Sequence, residues 1–194
     1  MNLIENYVYT KKLNRDLQEM RESCDKMYEH ITQTYKSGNT VSPQSTLTTR
    51  LYKQYNLLLF TVGQFHELFT DIKNTFFELN PVLEEPHYLQ CWLNYYQKDN
   101  YIDWHGHWPS ELKSWHGFYC VDCEPSCTTY LLPSGTKVDI NSENNLLVLS
   151  KSEGDKHRTW PWPYSDRPRI TIAFDIAPRS SIDFKTWSNH WIPL

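Results

Sequence analysis

Two short segments in the second half of the chain carry residues that could bind a metal ion. The first, Trp104-His105-Gly106-His107-Trp108, has two histidines two positions apart. Because side chains alternate along a β-strand, His105 and His107 point to the same face if this segment is a strand. The second segment follows the apolar run 146–149 and a turn, and it contains His157. Imidazole is a common ligand of iron, zinc, copper and nickel, so the three histidines could hold one ion.

A third segment, Arg167–Asp175, carries candidates for binding an anion. Arg169 and Thr171 share one face of the predicted strand, and a guanidinium that points inward is costly unless an anion meets it. Its planar fork suits a carboxylate. Arg167 has the same facing and is an alternative, but Pro168 indicates that the strand starts after it. An edge strand with its arginine in solvent is the other reading of this segment.

The order of the three segments is more informative than any one of them. A His-x-His pair, a later histidine and then Arg-x-Thr is the layout of an iron and 2-oxoacid site. Three ligands on one side of the metal leave the other positions open for substrate and O₂.

The elements that position these residues can be predicted from hydrophobic periodicity. The apolar residues between Leu13 and Tyr35 recur every three or four positions, as do those of Phe65–Leu79, and both patterns predict amphipathic helices. The run 37–39 is a stop signal for the first helix, and the apolar run 56–62 fits either a helix or a strand. From residue 87 onward short β-rich runs alternate with turns, which predicts a sandwich or barrel. These runs are Tyr88–Tyr96, Trp115–Val121, Thr128–Leu132, Leu146–Leu149 and Ile170–Ile176.

The β-rich half resembles the 2-oxoglutarate and Fe(II) dependent oxygenases related to prolyl hydroxylases, in a variant group common in phages and marine bacteria. The resemblance rests on Trp92-Leu93-Asn94-Tyr95, on the His-x-His segment with Pro109, and on Ser114-Trp115-His116-Gly117-Phe118-Tyr119. It continues through 145–150 and His157 to Arg169-Ile170-Thr171-Ile172-Ala173-Phe174-Asp175, and so spans about residues 88–176. The family implies a mainly β fold, a double-stranded β-helix of the jelly-roll or cupin-like kind. We expect residues 1–85 to form a helical segment that packs on a core of residues 86–194, in one compact domain.

The resemblance also implies an activity, which is hydroxylation of a substrate by O₂ coupled to decarboxylation of 2-oxoglutarate. The implied Fe(II) ligands, which are also the implied catalytic residues, are His105, His107 and His157. The implied 2-oxoglutarate site contains Arg169, with Arg167 as the alternative, together with Thr171, Tyr119 and Asn94. The substrate could be a protein side chain, a nucleobase or a small metabolite.

The sequence departs from the family pattern at His107, where the usual residue is an aspartate. An imidazole in place of a carboxylate makes the site one charge more positive. Asp103 and Asp155 are alternative carboxylates close by in sequence.

Two other motifs have competing interpretations. Cys120, Cys123 and Cys127 resemble half of a zinc site that Cys91 or His116 would complete, although burial as small apolar residues is the favoured reading. The segment 160–164, Trp-Pro-Trp-Pro-Tyr, could be either a substrate platform or a rigid loop packed on the core.

Composition limits the function classes. The formal net charge is −4, so a nucleic-acid partner is not indicated. We find no apolar stretch long enough for a membrane span and no signal peptide, and five cysteines fit a reducing compartment, so we expect a cytoplasmic location.

Two rival functions remain open: a three-histidine cupin-like dioxygenase that does not use 2-oxoglutarate, and a non-catalytic β-sandwich binding or structural (viral) protein with buried histidines.

Overall fold

The computed structural model describes residues 2–35, 48–52, 56–184 and 191–194. Within these ranges the chain forms ten strands and two α-helices, named here in chain order. The helices are α1 (Leu17–Thr34) and α2 (Phe65–Leu79). The strands are β1 (Asn2–Ile4), β2 (Val8–Lys12), β3 (His87–Tyr96), β4 (Trp115–Asp122), β5 (Cys127–Leu131), β6 (Lys137–Asn141), β7 (Leu146–Lys151), β8 (Lys156–Thr159), β9 (Arg169–Pro178) and β10 (Ile192–Pro193).

The strands form two antiparallel sheets. The larger sheet has the order β1-β2-β7-β4-β9-β3-β10, and the smaller has the order β6-β5-β8. A single bridge between His105 and His157 extends the smaller sheet beyond β8. The fold is a mainly β, double-stranded β-helix, as the sequence predicted.

Two faces of the larger sheet have different roles. On β9 the side chains of Ile170, Ile172 and Phe174 join the apolar core that includes both helices, whereas Arg169 and Thr171 line a cavity between the sheets. This separation follows from the two-residue period of a strand. Arg169 and Thr171 therefore enter the cavity while Ile170, Ile172 and Phe174 on the opposite face pack against the helices.

The two helices have the predicted amphipathic form. Asp16 caps α1 by accepting hydrogen bonds from the amides of Gln18 and Glu19. The buried side of α1 carries Met20, Cys24, Met27 and Ile31, and that of α2 carries Phe65, Leu68, Ile72, Thr75 and Phe76. The predicted stop signal at 37–39 lies outside the described residues. The ambiguous run 56–62 contains one turn of 3₁₀-helix, Leu57–Leu59.

The N-terminal region differs from the helical segment that the sequence predicted. Strands β1 and β2 extend the edge of the larger sheet, where β2 pairs with β7. Val8 and Tyr9 are fully buried there. Residues 2–12 thus belong to the β-structure, and helices begin only at Leu17.

The His-x-His segment also differs from its predicted form. Only His105 makes a bridge, and His107 lies in the irregular chain that follows. Both side chains nevertheless line the same cavity. Their common direction therefore comes from the loop and its bridge to β8, and not from a regular strand.

No helix in the described part of the chain is long and apolar enough to cross a membrane. The cytoplasmic location stays a prediction.

We predict that the helices and the β-sheets unfold together, because Ile72 belongs to the same core cluster as the larger sheet. Ile72→Ala should lower the free energy of unfolding by about 2–5 kcal/mol. All eight tryptophans lie at or beyond Trp92, so their fluorescence reports on the β-rich half, while far-ultraviolet circular dichroism reports mainly on the helices. In urea, the fluorescence transition and the dichroism transition of Ile72→Ala should both shift to lower urea concentration, and by the same amount.

The control is Asn74→Ala on the exposed side of the same helix, which should change the free energy of unfolding by less than about 0.5 kcal/mol. A fluorescence transition that stays in place while the dichroism transition moves would show two independent domains.

Candidate functional site

The candidate site is a cavity of about 290 Å³ between the two sheets. Its walls come from β3, β4 and β9 of the larger sheet, from β5 and β8 of the smaller sheet, from the His-x-His loop and from the short turn that contains Arg50. The polar and charged residues that line it are Thr48, Arg50, Asn94, His105, His107, His116, Thr128, His157, Thr159, Arg169 and Thr171.

Three of the lining histidines form a group that could hold a metal ion. One ligand atom of each of His105, His107 and His157 lies within 4.8 Å of the others. The ring centroids of His105 and His157 are 4.2 Å apart, and those of His107 and His157 are 5.2 Å apart. The structure therefore brings together the three histidines that the sequence singled out.

The protonation of these imidazoles suits metal binding. Burial lowers the pKa of His105, lowers that of His107 to about 4 and lowers that of His157 well below its usual value. All three rings are then neutral at pH 7, and each has one nitrogen lone pair. The Nδ1 of His157 is buried without a hydrogen-bond partner.

Hydrogen bonds fix which nitrogen carries the lone pair in two of the rings. The Nδ1 of His105 donates to the carbonyl oxygen of Asp103 over 2.8 Å. The Nδ1 of His107 donates to Oδ1 of Asp175 over 2.5 Å. Since both partners can only accept, the free lone pair in each ring is on Nε2.

Asp175 is fully buried and remains ionised. Burial alone would raise its pKa, but His107 and the guanidinium of Arg50 lower it to about 2. Arg50 approaches Oδ2 of Asp175 at 3.4 Å and stacks on the ring of Trp92. A negative charge thus lies directly behind one of the three imidazoles.

A second group with metal-ligand chemistry shares His157 with the first. It consists of His116, Asp155 and His157, again with ligand atoms within 4.8 Å of one another. Nε2 of His116 lies 2.9 Å from Oδ2 of Asp155, so these two residues already bind each other. The His116 ring stacks on both His107 and His157, with centroids 4.3 and 4.7 Å apart.

Arg169 lines the same cavity and is 1% exposed. Its guanidinium stacks 4.6 Å from the centre of the Tyr96 ring, and Nη2 is 3.4 Å from Oγ of Ser142. Nε and Nη1 are buried without hydrogen-bond partners. A buried cation with unused donors is costly, so this arrangement favours an anionic ligand that accepts from it.

Asn94 and Thr171 continue the polar wall next to Arg169. They are cross-strand partners, and Nδ2 of Asn94 donates to Oγ1 of Thr171 over 3.4 Å. Oδ1 of Asn94 is buried and has no partner. Both residues line the cavity, and their role in binding a cosubstrate stays a prediction.

Two residues suggested by the sequence lie elsewhere. Arg167 forms an ion pair with Asp122 over 2.7 Å and donates to the carbonyl oxygen of Glu124. Its positive charge is therefore paired with Asp122 away from the cavity. Tyr119 is buried on the helix-facing side of β4, where its hydroxyl donates to Oδ1 of Asn145 over 2.5 Å. Neither side chain lines the cavity.

The cysteine motif and the tryptophan-rich segment 160–164 both contain fully buried residues. Cys120 and Cys123 are fully buried, and the candidate metal groups in the described part of the chain contain no cysteine. Trp162 is fully buried against Tyr96, whereas Trp160 is half exposed. The tryptophan-rich segment is therefore anchored in the protein at its central residue.

Sequence reasoning gave no role to Asp175, and it considered His116 only as a zinc ligand. Asp175 has the same strand parity as Arg169 and Thr171, and that parity was a usable signal. Arg50 reaches the cavity from a short 3₁₀ turn, and no motif marked it.

Comparison with known proteins supports the fold. No family model and no curated protein matches the sequence. Among solved structures, a Trichoplax adhaerens prolyl hydroxylase in complex with a hypoxia inducible factor peptide fragment matches with a TM-score of 0.66 and 11% identity, over 91% of this chain and 86% of that chain. A Pseudomonas putida prolyl-4-hydroxylase matches with a TM-score of 0.58 and 9% identity, over 89% and 88%.

A third structure is HygX from Streptomyces hygroscopicus with nickel and 2-oxoglutarate bound. It matches with a TM-score of 0.57 and 12% identity, over 89% of this chain and 83% of that chain. At these identities the likeness shows a shared fold.

The position of Tyr119 leads to a prediction. Tyr119→Phe should lower the free energy of unfolding by about 1–2 kcal/mol, because it removes a buried hydrogen bond to Asn145. The affinity of the cavity for any ligand should stay within about twofold, since the side chain is on the other face of the sheet. Urea denaturation and ligand titration measure the two effects. Weaker ligand binding without loss of stability would contradict this placement.

Proposed function

We propose that this protein is an Fe(II)- and 2-oxoglutarate-dependent dioxygenase that hydroxylates a substrate. One observation carries the proposal. A single cavity in a double-stranded β-helix contains a group of three neutral imidazoles and a buried arginine with unused donors. The first feature suits a divalent metal ion, and the second suits the carboxylate of a cosubstrate.

The proposed metal ligands are His105, His107 and His157. Their donor set fits Fe(II), because neutral imidazole nitrogens are ordinary ligands of this ion. His105 and His107 have Nδ1 held by an acceptor, which leaves Nε2 for the metal. We favour this group over the one with His116 and Asp155, because those two residues would first have to give up the hydrogen bond between them.

The proposed cosubstrate site is built on Arg169, with Thr171 and Asn94 beside it. The guanidinium would bind the distal carboxylate of 2-oxoglutarate through the two nitrogens that have no partner, Nε and Nη1. Burial makes such a bond stronger than it would be in water. The stacked ring of Tyr96 keeps the guanidinium plane in place.

When bound, the iron and 2-oxoglutarate would supply the oxidising chemistry with O₂. The residues of the chain would bind and orient these groups and keep water out. Trp92, Phe118 and Ala173 give the cavity apolar walls between the polar groups. We find no requirement for a general base among the side chains in this proposal.

Of the two rivals, a three-histidine dioxygenase without 2-oxoglutarate leaves the buried Arg169 without a role. A non-catalytic binding protein leaves three neutral imidazoles converging without a role. The substrate class remains a protein side chain, a nucleobase or a small metabolite. Among the matched structures, one holds a peptide fragment and another, HygX, is shown with hygromycin B.

The metal site can be tested with Co(II), an air-stable stand-in for Fe(II). We expect the wild-type protein to bind one Co(II) per chain. His105→Ala and His157→Ala should each weaken binding on the order of 100-fold or more, because each removes a ligand. Calorimetric titration and visible absorption measure the affinity.

Asp155→Asn is the matched control, because Asp155 belongs only to the alternative group. It should leave the Co(II) affinity within a few-fold of wild type. If Asp155→Asn abolishes binding and His105→Ala does not, the ion is held by the other group and our ligand assignment is wrong.

The anchor can be tested with 2-oxoglutarate and the metal-loaded protein. Arg169→Ala should weaken binding of 2-oxoglutarate on the order of 100-fold, because it removes a buried charged partner of the carboxylate. Arg167→Ala should change the affinity little, since its guanidinium binds Asp122. Calorimetry gives both values, and a larger effect at Arg167 would rule out the proposed anchor.

A further inference from the structure

We propose that Asp175 is a positioning residue of the metal site and that it supplies, from behind His107, the negative charge that the three imidazole ligands lack. This inference rests on the proposed function, because it takes His107 to be a ligand. It adds a fourth residue to the centre, one that does not itself touch the ion.

The geometry of the pair carries the inference. Oδ1 of Asp175 accepts from Nδ1 of His107 over 2.5 Å, and the Asp175 side chain is completely buried. The His107 side chain is 7% exposed, so little water competes for this bond. Because a carboxylate can only accept, the bond forces the proton onto Nδ1 and leaves the Nε2 lone pair for a metal.

The charge balance explains why an acid is useful at this position. Three neutral imidazoles bring no charge to a divalent cation. A fully buried carboxylate one hydrogen bond away increases the electron-donating power of the imidazole that it holds. It also offsets one positive charge in surroundings of low polarity, where electrostatic interactions are strong.

Arg50 also pairs with Asp175, but its contact is weaker than that of His107. Arg50 approaches Oδ2 at 3.4 Å, a longer contact than the bond to His107, and 42% of its side chain is exposed to screening water. His116, which stacks on the His107 ring, has its own carboxylate partner in Asp155. Asp175 is thus left to act chiefly on His107.

The strand that carries Asp175 also carries the proposed cosubstrate anchor. Arg169, Thr171 and Asp175 have the same parity on β9, whose ladder with β3 is continuous over ten residue pairs. One rigid element would therefore set the position of both the metal ligand His107 and the bound 2-oxoglutarate.

The test is the Co(II) affinity of Asp175→Asn, which keeps the size and one acceptor of the side chain but removes its charge. We expect binding to be 10- to 100-fold weaker than in wild type, the range typical for residues that orient metal-bound histidines. Asp155→Asn is the matched control, because it makes the same change in the other buried His–Asp pair of the cavity. Its Co(II) affinity should stay within a few-fold of wild type.

A second measurement does not require a variant. In metal-free wild-type protein, ¹⁵N NMR of the imidazoles should show His107 with its proton on Nδ1, whereas free histidine prefers Nε2. A role in packing alone would not select this tautomer. A His107 proton on Nε2, or an Asp175→Asn variant that binds Co(II) as well as wild type, would overturn the inference and leave the proposed function intact. Wild-type protein that binds no Co(II) would overturn both.

Discussion

The two-residue period of strand β9 is the constraint on which the rest of the molecule depends. Its apolar residues, such as Ile172 and Phe174, hold the helices against the larger sheet. Its other face carries Arg169, which lines the cavity, and Asp175, which lies behind the cavity histidine His107, and both side chains are almost entirely buried. A shift of one residue in register would exchange these faces, so the core and the candidate site are fixed by the same pairing.

The two buried charges of β9 are compensated to different degrees. Asp175 has a histidine and an arginine as partners. Arg169 has a stacked ring, one long contact to Ser142 and the thiol of Cys123 as neighbours, and its Nε and Nη1 make no hydrogen bond. Asp175 thus has its hydrogen-bond partners within the chain, whereas Arg169 has donors for which the chain provides no acceptor. This difference between the two charges is the reason for proposing that an anionic cosubstrate binds at Arg169.

The sequence predicted the parts of the fold that have a strong hydrophobic period. The bounds of α2 and the positions of β3 and β9 agree with the structure. Strand β4 is buried on both faces, so alternation could not show that Tyr119 points away from the cavity. Arg50 enters the site through tertiary packing of a short turn, which leaves no local pattern to detect. Asp175 could have been found, because its parity matches that of Arg169.

The central claim is that one cavity holds both the metal ion and 2-oxoglutarate. The most direct measurement is the visible absorption of the protein under anaerobic conditions, with Fe(II) and 2-oxoglutarate added separately and then together. A 2-oxoacid that chelates protein-bound Fe(II) gives a charge-transfer band that neither component gives alone. We expect this band in wild-type protein only when both are present. Its absence from protein that binds Fe(II) with 2-oxoglutarate in excess would contradict the account.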